Sequence, residues 1–275
     1  MKAPALSRKD RVLIEELVQH AKENEALFAT LLGNLYNTFS SDVALMKSVH
    51  SMKWRVKGPD HVRDKLIRKW GEAKSRGKRF SINKNNLFVK VNDLAGFRIL
   101  HLYTRQFQRI DQCLQRIFAE QFYRVVEGPS ARTWDDESRE YFRSIDTRFI
   151  KSSTLYTSVH YVISPNHKTK YTCEIQVRTL AEELWGEVDH TLNYPHSSES
   201  LSCREQIKVL ARVTSSCTRL VDSIFLSHDD HETQKRRKRT PRSRPAPTPF
   251  GQSYIFRDSN GPDRDVIVRK ALAGS

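Results

Sequence analysis

The chain has 275 residues, 38% of them hydrophobic and 29% charged, with a formal net charge of +15. That length suits one good core with an appendage. No run approaches the ~18 apolar residues that cross a bilayer, and the charged start MKAPALSRKDRVLIEELVQ lacks the apolar centre of a secretory signal, so a cytosolic protein is expected.

The excess of cations points to polyanionic partners: nucleotides, RNA or DNA. Cys113, Cys173, Cys203 and Cys217 are widely spaced and form no CxxC pair, so neither a zinc ribbon nor a thioredoxin-like site is indicated. Cys173 and Cys217 fall on apolar stripes and read as reduced core residues.

In chain order, Lys9 to Leu45 reads as helix, with Gly33 as the point of weakness. It suits a core-packing or dimerising element. Met52 to Lys57 alternates like a strand, with Trp54 and Val56 inward and Lys53, Arg55 and Lys57 on the other face. Gly58-Pro59 breaks it, and Asp60 suits the cap of a helix with Val62, Leu66, Ile67 and Trp70 inward; Arg63 and Lys65 point elsewhere. Basic residues from that strand and helix suit a polyphosphate, and equally a solvated face.

Strands are expected at about 87–91 and 97–103, flanking Asn92-Asp93 and Gly96. A carboxylate beside a close backbone approach suits Mg²⁺, which takes one or two protein carboxylates plus phosphate oxygens and waters. It is also ordinary turn chemistry. Ile110 to Phe122 reads as an amphipathic helix. Glu127 to Lys151 is polar and reads as a mobile excursion. At 158–163 a strand returns, with Tyr156, Ser158 and His160 on one face and Val159, Tyr161 and Ile163 on the other.

Tyr171 to Tyr194, YTCEIQVRTLAEELWGEVDHTLNY, organises the chain. Tyr171, Cys173, Ile175 and Val177 share one strand face. Thr172, Glu174, Gln176 and Arg178 share the other, at ~7 Å intervals. Thr179 with Glu182 matches a capping box. Leu180, Leu184, Val188 and Leu192, with Ala181 and Trp185, predict the apolar face of the next helix. A charged strand face entering a helix N-terminus suits phosphate and metal; a salt-bridged, solvated face has the same pattern.

Cys203 to Leu226 predicts another helix, with Ile207, Leu210, Ala211, Cys217, Leu220, Val221, Ile224 and Phe225 inward. Residues 228–252 are rich in charge, His and Pro and read as a linker. His228, Asp229, Asp230, His231 and Glu232 only superficially resemble metal ligands. Tyr254-Ile255-Phe256 and Val266-Ile267-Val268 suit a strand pair or a docking segment. The expected organisation is a helical segment 1–45, a domain 46–227, a linker 228–252 and a short segment 253–275.

Four stretches in order, HSMKWRVKGPDHVRDKL, VNDLAGFRIL, LYTSVHYVI and EIQVRTLAEELWGEVDHTLNY, resemble the synthetase domain of the RelA/SpoT superfamily across about residues 45 to 195. The size is similar to that of its small, single-domain synthetases. The resemblance implies an α/β (α+β) fold: a mixed central sheet flanked by helices, nucleotidyltransferase-like, with helical N- and C-terminal additions. It implies Mg²⁺-dependent transfer of pyrophosphate from ATP to the 3′-hydroxyl of GDP or GTP.

The implied roles follow residue by residue. Arg55, Lys57, Arg63 and Lys65 hold ATP phosphates, and Arg55 and Arg98 flank adenine. Asp93 and Glu174 bind the metal, and Glu174 alternatively draws the proton from the acceptor. Tyr156 stacks on the acceptor base; His160, Gln176 and Arg178 order that pocket; His190 and Asn193 support it. Leu155 stands where family loops carry Gly, and Thr157 where many small synthetases carry a basic residue. Both departures fall in the acceptor half. The competing readings are a toxin-like relative acting on the 3′-end of tRNA or on an adenosine nucleotide, and a non-catalytic nucleotide- or RNA-binding module. A homo-oligomer is compatible with each.

Overall fold

Alternating sequence at the centre of the chain becomes one six-stranded sheet. Its strands are β1 (Ser51–Val56), β2 (Ala95–His101), β3 (Arg124–Thr133), β4 (Phe149–Lys151), β5 (Ser158–Ser164) and β6 (Cys173–Thr179). They lie in the order β1-β2-β6-β5-β3-β4. β2 and β6 are parallel, as are β3 and β4, and the other neighbours are antiparallel. This computed structural model describes residues 6–152, 154–166, 168, 170–193 and 199–239. Residues 254–256 and 266–268, expected to pair or dock, lie outside them.

The helices are α1 (Arg8–Glu23), α2 (Glu25–Ser41), α3 (Val43–Met46), α4 (Pro59–Ser75), α5 (Leu87–Lys90), α6 (Gln106–Glu120), α7 (Asp136–Ser144), α8 (Leu180–Asn193) and α9 (Leu201–Arg239). The chain divides into two units, Met1–Asp230 and His231–Ser275. Sheet and site belong to the first. The second is described only over His231–Arg239, which is helical.

One face of the sheet is apolar. Phe97, Ile99, Val159, Tyr161, Ile163, Cys173, Ile175 and Val177 are buried in a single cluster with residues of α1, α2, α4 and α6. Phe39 of α2 meets Phe97 edge-on at 5.2 Å, and Phe118 of α6 meets Tyr161 at 6.0 Å. Each such ring contributes about 1.5–3 kcal/mol on burial, enough to decide which face turns inward. The opposite face carries the polar residues of the strands. There α8 and α9 form a small separate cluster of Trp185, Ile207 and Ala211, and Trp185 Nε1 donates to the Ile207 carbonyl at 3.0 Å.

Several expectations are corrected. Residues 87–90 form the helical turn α5, not a strand; Leu87 and Val91, four apart, are both buried, a helical spacing. The stretch at 127–151 is not a mobile excursion. It supplies part of β3, α7 and β4. Gly128-Pro129 disguised β3; the strand takes them in at register shifts. Gly128 has φ +98°, and a Cβ there would meet the His160 carbonyl oxygen at 2.3 Å, so only glycine fits. The first helix breaks at Asn24, not Gly33. Gly58 caps α4, with Pro59 in its first turn, in place of Asp60.

Some predicted apolar faces also turn. Trp54 and Ile67 are exposed rather than inward, and so are Leu184, Leu192, Cys217, Leu220 and Ile224. In α9 the buried side is Ile207, Ala211, Thr214, Ser215 and Thr218. Hydroxyls pack there because their hydrogen bonds return to the backbone or to each other. The helix also runs through 228–239, where a linker was expected, since no Gly or Pro interrupts good helix formers there.

Candidate active site

Strand register assembles the site. Arg55 pairs with Gly96, and Gly96 with Glu174. In the next row Lys53 pairs with Arg98, Arg98 with Gln176 and Gln176 with His160. Directly paired residues project to the same face. Two rows therefore cross β1, β2 and β6 on one face, and the second goes on to His160 of β5. A cavity of about 110 Å³ opens on them, lined among others by Lys53, Arg55, Lys57, Asp93, Arg98 and Glu174. The close backbone approach expected at Gly96 is not there, since a Cβ would meet only the Arg55 carbonyl at 3.9 Å. Instead the missing side chain leaves the cavity floor open.

Asp93 sits in the turn before β2. Lys57 Nζ donates to its Oδ2 at 2.7 Å and Lys65 Nζ at 3.0 Å. Burial pushes its pKa up, but the two ammonium groups outweigh that and hold it at about 2. Burial also lowers the pKa of Lys57, against the pull of Asp93. The other oxygen, Asp93 Oδ1, is buried and has no hydrogen-bond partner.

Glu174 lies on β6. Its Oε1 is 3.0 Å from His160 Nδ1, and its Oε2 accepts from Gln176 Nε2 at 2.9 Å. Burial raises its pKa, but the His160 hydrogen bond and charge, helped by Gln176, leave it below the ordinary value. Both carboxylates are thus ionised near neutrality. A partnerless Asp93 oxygen, an ionised Glu174 on the same cavity and room for phosphate oxygens fit the donor set of Mg²⁺. Among the described residues, no group of three or more His, Cys, Asp or Glu side chains could hold a metal.

The helix after β6 adds residues that sequence reasoning missed. Of its predicted apolar face Leu184 and Leu192 are exposed, while Trp185 is buried with Val188 packed on its cluster; Glu182 and Glu183 are buried beside it. Glu183 pairs with Lys53, Arg98 and Arg178; Glu187 pairs with Lys53 at 3.0 Å and with Arg98. Two carboxylates so neutralise cations from three strands. Arg178 fits because Gly186 leaves room: a Cβ there would lie 2.8 Å from its Nη1. The signal was legible. Glu183, Gly186, Glu187 and His190 share the helix side opposite the leucines, at spacings of three and four.

The sequence of this site has a family. A model described as a region found in RelA / SpoT proteins matches residues 54–199, more than half of the chain. The chain belongs to the RelA/SpoT family. Among solved structures it is similar to a GTP pyrophosphokinase family protein from Streptococcus pneumoniae (17% identity, 83% of this chain and 98% of that one, TM-score 0.47). It is also similar to small alarmone synthetase 2 from Bacillus subtilis (18%, 76% and 98%, TM-score 0.49). Small alarmone synthetase 1 from Bacillus subtilis, bound to its product pppGpp, gives 20%, 81% and 97%, with a TM-score of 0.44. No curated protein matches.

Within this RelA/SpoT domain four residues expected on the acceptor side, Tyr156, His160, Gln176 and Arg178, lie close together. Tyr156 Oη donates to Gln176 Oε1 at 3.3 Å. Its ring lies 5.9 Å from His160 and 6.2 Å from Trp185, with the Arg178 guanidinium 5.6 Å from its centroid. Leu155 packs on the Trp185 cluster. Thr157 Oγ1 lies 2.9 Å from Thr133 Oγ1, so it anchors the loop to β3.

One residue falls elsewhere. Arg63, expected on ATP phosphates, instead bonds Glu15 of α1 (2.7 and 3.0 Å) and Asp60 (2.6 Å). On α4 it faces the neighbouring helix while Lys65 faces Asp93. Asn193 ends α8 and donates to Asp189 at 2.9 Å. His190 lies nearer the site. Burial, then the charge of Arg55, lower its pKa.

Proposed function

We propose that this RelA/SpoT-family chain transfers pyrophosphate from ATP to the 3′-hydroxyl of GDP or GTP, releasing AMP. The observation that carries the reading is the pair of ionised carboxylates, Asp93 and Glu174, facing one cavity with Lys53, Arg55, Lys57 and Arg98. Attack on a β-phosphorus needs charge neutralised on several phosphate oxygens and two substrates held in line. The basic face of β1, with Lys65, would take the ATP phosphates, and Arg55 and Arg98 would flank the adenine. Asp93 and Glu174 would hold Mg²⁺. When bound, Mg²⁺ would neutralise phosphate charge. Alternatively Glu174, which His160 helps to keep ionised, would draw the proton from the acceptor hydroxyl.

On the acceptor side Tyr156 would stack on the base, with Gln176, His160 and Arg178 around it. Arg63, held by Glu15 and Asp60, is left out of the ATP site.

The test is label transfer from [γ-³²P]ATP with Mg²⁺ to GDP, GTP, ATP or tRNA offered separately, beside a Glu174→Gln control. Label on a guanosine nucleotide, lost in the control, is the expected result. Label on tRNA or ATP alone would move the acceptor and keep the chemistry. No label on any acceptor would overturn the reading and favour a nucleotide-binding module.

A further inference from the structure

We propose that Glu182 is a positioning residue of the acceptor site: its buried carboxylate holds the main chain at Thr157 and thereby fixes the ring of Tyr156. The proposal rests on the reading of Tyr156 as the acceptor platform.

A capping-box glutamate reaches back to the backbone N–H of its own N-cap. Glu182 does only half of this. Its N–H donates to Thr179 Oγ1 at 3.2 Å, but its Oε2 accepts the N–H of Thr157 at 3.3 Å, 25 residues away. Thr157 follows Tyr156 directly. Its hydroxyl is tied to Thr133 on β3, so the loop is held from two sides. One helical turn on, Trp185 lies 6.2 Å from the Tyr156 ring. Glu182 and Trp185, three residues apart, thus brace the same loop from one side of α8.

The arrangement is costly in the way functional positions are. Glu182 is 4% exposed. Burial pushes its pKa up to about 7, against the Thr157 hydrogen bond and the charge of Arg178. It lines a small cavity of about 30 Å³ with His101, Arg178, Thr218 and Arg219. A leucine would fill such a place without that cost.

The experiment compares wild type, Glu182→Gln and Glu182→Leu. Amide exchange at Thr157 is followed by mass spectrometry without nucleotides, and KM is measured for GDP and for ATP. Glutamine keeps an oxygen acceptor and leucine does not. In the leucine variant, Thr157 exchange should quicken at least about tenfold and KM for GDP should rise at least about fivefold, with KM for ATP unchanged. The glutamine variant should keep both near wild type. Unchanged exchange in the leucine variant, or a parallel rise in both KM values, overturns the proposal. A wild type that transfers to no acceptor overturns the active-site reading instead, and the exchange result then decides the loop contact by itself.

Discussion

His160 Nδ1 and Glu174 Oε1 lie 3.0 Å apart, joining β5 to β6 in front of the cavity. Burial acts to raise the Glu174 pKa, and His160 supplies most of the opposing pull. In His160→Leu the burial remains and the opposition goes, so the carboxyl rises. The acid limb of kcat/KM should move to higher pH. A pH–rate profile with an unmoved limb would show that Glu174 ionisation does not control the reaction.

Asp93 gives a second pH signature. Its folded pKa of about 2 lies below the ordinary 3.8. A depressed acid contributes stability that is present above the unfolded value and lost as pH falls through the folded one. Asp93→Asn should therefore cost about 2 kcal/mol at pH 7, and transfer should fall at least about a hundredfold. Denaturant titrations should show the gap to wild type closing as pH falls toward 2.

Glu182 runs the other way. Its folded pKa of about 7 lies above the ordinary 4.5. Stability is complete below the unfolded value and lost as pH rises toward the folded one. Glu182→Gln should thus be more stable than wild type at pH 8, by on the order of 3 kcal/mol, and equal to it near pH 4.5. Melting curves across that range test the sign.

Gly96 lies between Arg55 and Glu174 in the register, and its Cβ would meet nothing closer than 3.9 Å. In Gly96→Val the fold should persist while the branched side chain fills the cavity floor. ATP affinity should drop at least about tenfold, with little change in melting temperature. Calorimetric titration with ATP measures the first. Unaltered affinity would place the nucleotide elsewhere.

Arg63 serves the opposite purpose. Bound to Glu15 and Asp60, it should be nearly neutral for substrate. Arg63→Ala is expected to change KM for ATP less than about twofold, and to cost about 0.2–1 kcal/mol as an exposed ion pair.

The sequence by itself determined that β1, β2, β5 and β6 are strands, because their residues alternate with a period of two, and in β6 the polar side leaves one choice of buried face. It also carried Asp93, Glu174, Gln176 and the basic row of β1, whose motifs are local. Only the tertiary structure decided the rest. The short apolar run before Asn92 fits either period, and packing of Leu87 and Val91 chose helix. The polar edge formed by β3 and β4 has little apolar signal, since its pairing is long-range. Helix α8 has a leucine stripe and a glutamate stripe, and local rules bury the leucines. Arg98 binds Glu183 across 85 residues and Lys53 binds Glu187 across 134. Buried carboxylates persist where cations neutralise them, and those cations come from strands that only the fold brings beneath the helix.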